Sequence, residues 1–520
     1  MKRGAVLMIQ GTMSSAGKSL MVAALCRIFK QDGVNVAPFK AQNMALNSFA
    51  TLDGREIGRA QAMQADAAGV DVTVEMNPIL IKPEADAFAQ IVVMGKPWAR
   101  LPAGEYMRRR EELWGIVTHA LDSLRAQYDL VVIEGAGSPA ELNLRRGDLV
   151  NMAVADYASA PVLLIGDIDR GGIFAQLIGT HMLLEEKERH LIKGFIVNKF
   201  RGEPRLFEEG IHILEERSGV RVLGIMPYVR DLRIADEDSV VLDDLKIRAT
   251  TERKSGIIDP PAFNFSRTLD IVVIHLPHMS NFDDFDPLRA EDDVSVRFVD
   301  RIEEIDPPPD LIILPGTKTT LSDLEFLRMR GLAKRISELA HTGVPVLGIC
   351  GGYQMLGTSI CDPLHVESEK EQVGGLDLLP IVTTFAAEKQ TVRARGNIAA
   401  NRGLFAEMRG LAVNGYEIHM GHTQVVTEPL IQISQRGETA CDAPDGTVDT
   451  SGWIAGTYLH GLFDNDGVRH AFLTNLAARK NYSRTANAHF DRDAEYDRLA
   501  QVARLNLNMD AIYRLVGISK

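Results

Sequence analysis

The sequence predicts an α/β protein of two doubly wound domains, each a parallel sheet covered by helices. Three observations predict it. Residues 5 to 240 alternate short apolar runs with amphipathic segments, the pattern of successive β–α–β units, which makes neighbouring strands parallel. That alternation breaks at Lys246–Arg267, a Thr-, Ser-, Lys- and Arg-rich stretch with Pro260-Pro261, and then resumes. Finally, 520 residues exceed one core and call for roughly two to four domains of about 100–200 residues.

In chain order, the first strand-like runs are Ala5–Ile9, Val34–Phe39, Leu130–Ile133, Val162–Ile165, Gly194–Val197 and Val222–Ile225. Together they predict an N-terminal domain over residues 1–245, followed by a linker over 246–268. A second series, Asp270–His275, Val294–Phe298, Leu311–Leu314 and Val344–Ile349, opens a domain over 269–470. Between Leu376 and Tyr458 glycines are frequent and helical periodicity is weak, which predicts a strand-rich section. Residues 471–520, with Leu499, Val502, Leu505 and Leu507, predict a C-terminal helical extension. There is no internal repeat and no low-complexity tract.

Composition narrows the class. Apolar residues make up 45% and charged residues 24%, as in ordinary globular chains. No run approaches the roughly 18 apolar residues of a membrane helix. The short apolar start, Met1–Ile9, runs straight into a glycine loop and is a first strand, not a targeting segment. A net charge of −13 argues against nucleic acid as a partner. The densest basic run, Arg108–Arg110, is followed by Glu111 and Glu112 and reads as a solvated helix face. The four cysteines, Cys26, Cys350, Cys361 and Cys441, lack metal-site spacing, and so few in so long a chain point to the cytoplasm.

Two constellations carry chemistry. The first strand ends in Gly11-Thr-Met-Ser-Ser-Ala-Gly17-Lys18-Ser19, followed by an apolar helix. This is a P-loop: glycines curl the backbone so that N–H groups face one anion, and the helix start adds positive potential. Gly11, Thr12, Gly17, Lys18 and Ser19 are the ATP candidates, with Lys18 at the β- and γ-phosphates and Ser19 on Mg²⁺. The spacing departs from the usual loop, because Thr12 stands where a glycine is expected. Glu134, at the end of Leu130–Ile133, is the acidic candidate for the metal. Asp167 and Asp169 end another strand, and the sequence does not choose between them. Asn198 ends a further strand and is a candidate amide for a purine, or a cap. Lys40, Gln42 and Asn43 belong to an amide-rich segment, Phe39–Ser48, that suits a polar ligand or a hydrogen-bonded loop.

The second constellation is Gly348-Ile349-Cys350-Gly351-Gly352 after Val344–Ile349. It is a strand, a sharp turn and a helix with a nucleophile at the apex. The helix start favours the thiolate, and the Gly351 N–H can donate to an oxyanion. Gly316, in another strand-end loop, is the second donor candidate. His460 is the candidate base, with His419 and His422 as rivals. Cys26 sits on an apolar helix face and reads as packing.

These segments resemble the cobyric acid synthase family. The matching stretches are Gln10–Ser19, Pro38–Ser48, Asp167–Gly172, Ser280–Pro287, Gly348–Leu356 and Tyr458–Phe463. The phosphate loop is similar to that of dethiobiotin synthetase, and Gly348–Gly352 to the nucleophile turn of class I glutamine amidotransferases. The resemblance implies a C-terminal class I glutamine amidotransferase domain with Cys350 as nucleophile and His460 as base. It further implies ATP- and glutamine-dependent amidation of the b, d, e and g carboxylates of adenosylcobyrinic acid a,c-diamide. The expected ligands are ATP, Mg²⁺, glutamine and a corrinoid, with no membrane partner and room for a homo-oligomer. A polycarboxylate needs cations, and Arg145, Arg146 and Arg170 are the candidates. Two departures from the pattern stand out. The glutamate two residues after the histidine is replaced by Leu462, leaving Asp464 as a weak candidate for the third triad member, and Thr250–Ser266 lengthens the linker. The alternatives are the sister enzyme that makes the a,c-diamide, and a partitioning-type ATPase with an inactive amidotransferase domain.

Overall fold

The computed structural model describes residues 3–84, 88–145, 147–229, 232, 234, 268–425, 427–484 and 489–518. The chain forms two compact units: Met1–Ala45, Glu56–Glu237 and Asp491–Lys520 make up the first, and Leu46–Arg55 and Asp238–Phe490 the second. Nearly all of the linker expected at 246–268, and the whole Thr250–Ser266 insertion, lie outside the described residues.

The first unit holds a six-stranded, all-parallel sheet. Its strands are β1 (Ala5–Gly11), β2 (Val36–Phe39), β3 (Leu130–Glu134), β4 (Val162–Asp167), β5 (Ile192–Phe200) and β6 (Val222–Pro227). They lie in the order β6-β5-β4-β1-β3-β2. All residues of β3 and β4 are buried, which is why they read as unbroken apolar runs. The winding reverses between β1 and β4, and ligands gather at the carboxyl ends of strands at such a point. The connection from β2 to β3 carries a small sheet, Gln42–Met44, Ile79–Pro83, Phe88–Val93 and Lys96–Pro102. Arg109 pairs with Glu112 as a solvated face would, but Arg110 is buried.

The C-terminal helices complete this unit's core. The helices Arg492–Asn506 and Met509–Val516 pack against α1 (Lys18–Gln31), burying Leu499, Ala503 and Ile512 beside Cys26, Ile28 and Phe29. Arg27 holds Asp493 and Asp497 at 2.7 and 2.6 Å, and Phe29 meets Tyr513 edge-on. Thus residues 491–518 form no separate extension. Apolar α1 needs a second cover, and the last helices supply it. Leu505 points to solvent.

The second unit has its own parallel sheet: β7 (Leu269–Ile274), β8 (Val294–Val299), β9 (Leu311–Leu314), β10 (Val346–Ile349) and β11 (Ile454–Thr457). The order is β8-β7-β9-β10-β11, closed by the antiparallel edge Thr447–Val448. The strand-rich section is a second sheet around the long strand Val382–Ile398, paired with Ala412–Thr423 and Ile431–Arg436. The helix Asp466–Arg479 packs on this unit, and its fully buried Arg469 is held by Glu291 at 2.8 Å.

Among the described residues no helix is long and apolar enough to cross a membrane. Because Ile512 is fully buried and Leu505 is exposed, their substitutions separate packing from propensity. Ile512→Ala should lower stability by about 2–4 kcal/mol, read as an earlier urea midpoint, and Leu505→Ala should stay within about 0.5 kcal/mol.

Candidate active sites

The phosphate loop joins β1 to α1. Gly17 stands at φ 98°, and a Cβ there would lie 2.2 Å from Asn198 Nδ2, so only glycine fits. Asn198 donates through Nδ2 to the Ala16 carbonyl at 2.8 Å, and Lys199 donates to the Ser15 carbonyl at 2.7 Å. Asn198 therefore braces the loop that it was expected to face as a purine contact. Lys18 Nζ donates to the Met13 and Gly137 carbonyls at 3.0 and 3.2 Å. Gly11 lies against the Lys18 side chain, and Thr12 Oγ1 donates to Gln176.

Glu134 is fully buried at the end of β3 and is the hub of this site. It accepts from Ser19 Oγ at 2.9 Å, from Lys40 Nζ at 2.9 Å and from Gln64 Nε2. Lys40, expected as a substrate contact, is thus brought to the candidate metal acid. Gln64 was not singled out in the sequence. It lies on the helix Arg59–Ala68 with Gln61, whose Oε1 accepts from Asn43. Gln42 accepts from Tyr106. The buried Gln64 Oε1 has no hydrogen-bond partner. Ser19, Glu134 and this orphaned oxygen form an oxygen donor set of the kind Mg²⁺ takes alongside nucleotide phosphates. Among the described residues no cluster of three or more His, Cys, Asp or Glu forms a self-sufficient metal cage. Asp167 and Asp169 separate clearly: Asp167 is buried and paired with Lys199 at 2.8 Å, whereas Asp169 pairs with the exposed Arg201.

The arginine candidates are not brought together here. Arg145 is held by Glu185 and Glu188, and Arg170 lies 3.8 Å from Asp167. Arg146 lies outside the described residues.

In the second unit Cys350 stands at φ 52°, ψ −110° between β10 and the short helix Gly351–Met355. A non-glycine residue at such angles is strained, and the strain aims the thiol out of the turn. Its Sγ lies 3.5 Å from the Ile418 carbonyl, and its backbone N–H donates to Thr457 of β11 at 2.8 Å. His460 interacts electrostatically with the Cys350 side chain and, through Nδ1, hydrogen-bonds to Asp284 Oδ2 at 2.7 Å. The second Asp284 oxygen accepts from the Gly461 N–H at 2.8 Å. Cys350, His460 and Asp284 thus stand together as a triad, with both the ring and the carboxylate almost fully buried.

Asp284, and not Asp464, fills the third place. It comes from the 3₁₀ turn Phe282–Phe285, which lies 176 residues from His460. Ser280–Pro287 is rich in acids, but nothing local distinguishes Asp284 from Asp283 or Asp286. Burial pulls the His460 charge down, but Asp284 outweighs it and His460 is pushed up to about 10. Burial raises the Asp284 carboxyl, and His460 pulls it back. The rival His419 stacks on Tyr458, and burial lowers it to about 3.

Gly316 lies beside this ring. A Cβ there would come 2.8 Å from His460 Cε1, so a side chain would displace the imidazole. The next residue, Thr317, lies against Gly351, whose Cβ position is 3.2 Å from the Thr317 N–H. The Gly316–Thr317 loop therefore lies against both the His460 ring and the residue that follows Cys350. Buried Asp323 fixes the first loop by accepting from Thr317 Oγ1 and from the His278 N–H. No sequence signal marked Asp323.

Two domain families match the chain, one over each of its units. Residues 7–241 match the CobQ/CobB/MinD/ParA nucleotide-binding domain family, and residues 270–468 match the CobB/CobQ-like glutamine amidotransferase domain family. A cobyric acid synthase from Dehalococcoides mccartyi is 51% identical over 98% of both chains. The chain belongs to the cobyric acid synthase family. Another cobyric acid synthase, from Sorangium cellulosum, is 48% identical over 99% of both chains. PurLQS from Thermotoga maritima, a solved structure, covers 40% of this chain and 99% of its own, with 17% identity and a TM-score of 0.31. The chain is an ATP-dependent glutamine amidotransferase, with the P-loop in its nucleotide-binding domain and Cys350 in its amidotransferase domain.

A raised His460 keeps its proton through neutrality and loses it as pH rises through about 10. The stabilisation from its pairing with Asp284 is therefore fully present below about pH 6.5 and fades toward 10. Asp284→Asn removes the group that raises it. In this variant kcat/KM for glutamine hydrolysis should fall about a hundredfold or more. The alkaline limb of its pH profile should move to lower pH.

Proposed function

We propose that this enzyme amidates the b, d, e and g carboxylates of adenosylcobyrinic acid a,c-diamide, using one ATP and one glutamine per amide. The observation that carries the reading is a complete Cys350–His460–Asp284 triad in a chain 51% identical to a cobyric acid synthase over 98% of its length. An intact triad speaks against an amidotransferase domain kept only for binding.

In the glutaminase half, the Cys350 thiolate attacks the side-chain amide of glutamine. The oxyanion accepts from the Gly351 N–H and from the Gly316–Thr317 loop. Asp284 holds His460 with Nδ1 protonated, so that the other ring nitrogen carries the proton given to departing ammonia. Water then releases glutamate from the thioester.

In the synthetase half, an acceptor carboxylate attacks the γ-phosphate of ATP, the β,γ-bridging bond breaks, ADP departs and an acyl phosphate forms. Lys18 gives up its bonds to the Met13 and Gly137 carbonyls for the phosphates, since charge-assisted bonds are the stronger. Ser19 and Glu134 would hold Mg²⁺, which supplies charge neutralisation at the transferring phosphoryl group. Lys40 remains on Glu134 and keeps that buried carboxylate paired. Ammonia displaces phosphate from the acyl phosphate and gives the amide.

Mass spectrometry of cobyrinic acid a,c-diamide incubated with enzyme, MgATP and glutamine tests the substrate. Stepwise addition of four amides is expected. An unchanged diamide alongside amidation of cobyrinic acid itself would identify the sister reaction. The two halves separate by mutation: Cys350→Ala should lose activity with glutamine and keep it with ammonium salts, whereas Lys18→Ala should lose both. Glutamine use that survives Cys350→Ala would remove the cysteine from its role.

A further inference from the structure

Ten residues of the amide-rich segment do not stay with the nucleotide-binding unit that precedes and follows them. Leu46–Arg55 clusters with the amidotransferase unit, although Ala45 and Glu56 on either side belong to the other. Within the amidotransferase unit these residues reach both flanks of His460.

On one flank, Asn47 and Asn281 exchange hydrogen bonds. The Asn281 N–H donates to Asn47 Oδ1 at 2.7 Å, and the Ser48 N–H donates to Asn281 Oδ1 at 2.9 Å. All three residues are buried. Asn281 is left-handed, at φ 55°, ψ 45°, and starts the 3₁₀ turn that carries Asp284. Its carbonyl accepts from the Asp284 N–H at 3.1 Å. The preceding Ser280 N–H donates to Gly316 at 2.9 Å, tying the same turn to the loop beside the thiol. Asparagine tolerates the left-handed region better than most residues, but a single residue there needs outside support. Asn47 provides that support.

On the other flank, Phe49 meets the Tyr416 ring edge-on, with centroids 4.7 Å apart. Tyr416 in turn stacks on the His460 imidazole at 5.2 Å and exchanges backbone hydrogen bonds with it. Arg393 lies over the Phe49 ring and donates to the Ala50 carbonyl at 3.0 Å, holding the segment in place.

We propose that Leu46–Arg55 is a positioning strap for the glutaminase, in which Asn47 sets the turn that aims Asp284 and Phe49 backs the tyrosine that supports the His460 ring. This rests on the triad reading given above. The strap leaves the nucleotide-binding unit five residues after Lys40 and rejoins it three residues before Arg59, the first residue of the Gln61 and Gln64 helix. Lys40 and Gln64 both bond to Glu134 beside the phosphate loop.

The test is kinetic, on the full-length enzyme. Asn47→Ala should lower kcat for glutamine hydrolysis about 10- to 100-fold, the cost of an ångström-scale misplacement, with KM for glutamine little changed. Amidation with ammonium salts should keep its wild-type rate, which also shows that the variant folds. Asn47→Asp retains an acceptor for the Asn281 N–H and should restore most of the lost kcat. Phe49→Leu should reproduce the defect in milder form. The strap is overturned if Asn47→Ala hydrolyses glutamine within about twofold of wild type, if ammonium- and glutamine-dependent rates fall together, or if Asn47→Asp is as impaired as Asn47→Ala. Cys350→Ala in the same series separates the two failures. A glutaminase that survives it overturns the triad, whereas a dead Cys350→Ala beside a normal Asn47→Ala overturns the strap alone.

Discussion

The amidotransferase unit depends on one buried hydrogen bond, that between Asp284 and His460. Both groups are out of water, and a buried carboxylate is costly unless every oxygen is met. Asp284 meets the requirement with two short donors, the ring Nδ1 and the Gly461 N–H. One fixes the ring's tautomer and the other fixes the chain that carries the ring. The pair stores charge next to Cys350 and holds the imidazole in the plane a triad needs. Removing one member of such a pair costs about 3–5 kcal/mol, because the other is left charged and unpaired. The surroundings follow from this. Gly316 has no side chain because the imidazole takes that space, and Asp323 ties down the neighbouring loop because its backbone must stay close to Gly351.

The nucleotide-binding unit solves the same problem differently. Glu134 is as buried as Asp284, but it is shared among a lysine, an amide and a hydroxyl. Those partners are exchangeable. Ser19 can turn from the carboxylate without leaving Glu134 unpaired, because Lys40 remains. Lys18 similarly rests on two backbone carbonyls. Neutral acceptors keep a buried ammonium satisfied and yield to phosphate more readily than a carboxylate would. A triad that must stay aligned through every turnover has fixed partners, and a loop that must take and release ATP has replaceable ones.

What could be read from the sequence follows the same division. The P-loop and the elbow are local. Strand, turn and helix are contiguous, so spacing reveals Lys18, Ser19, Cys350 and Gly351 directly. The parallel sheets were legible because buried strands such as β3 and β4 are apolar throughout. Asp284 was not legible, since its role arises from a partner 176 residues away and three acids in its motif look alike. Asp464 had proximity in sequence, but the ring nitrogen of His460 faces Asp284. The C-terminal helices looked like an appendage for a related reason. Their apolar face gives no hint of which surface it covers, and that surface is α1, near the other end of the chain. Gln64 is not legible because its helix, Arg59–Ala68, is buried on nearly every face and sets Arg59, Gln61 and Gln64 among alanines, and Asp323 is not because an acid in the first turn of a helix is ordinary.

A polycarboxylate acceptor places a further demand on a chain with a net charge of −13. Uncompensated cations near the transfer site would attract it, but buried cations without partners are unstable in the resting enzyme. The described arginine candidates have acidic neighbours: Arg145 has Glu185 and Glu188, and Arg170 has Asp167. The acidic partners are largely buried, however: Glu188 and Asp167 keep 10% and 1% side-chain exposure, against 29% and 45% for the two arginines. Drawing Arg145 away would leave the buried Glu188 without its cation, a costly change, whereas Asp167 keeps Lys199 at 2.8 Å, so Arg170 is the cheaper of the two to redirect.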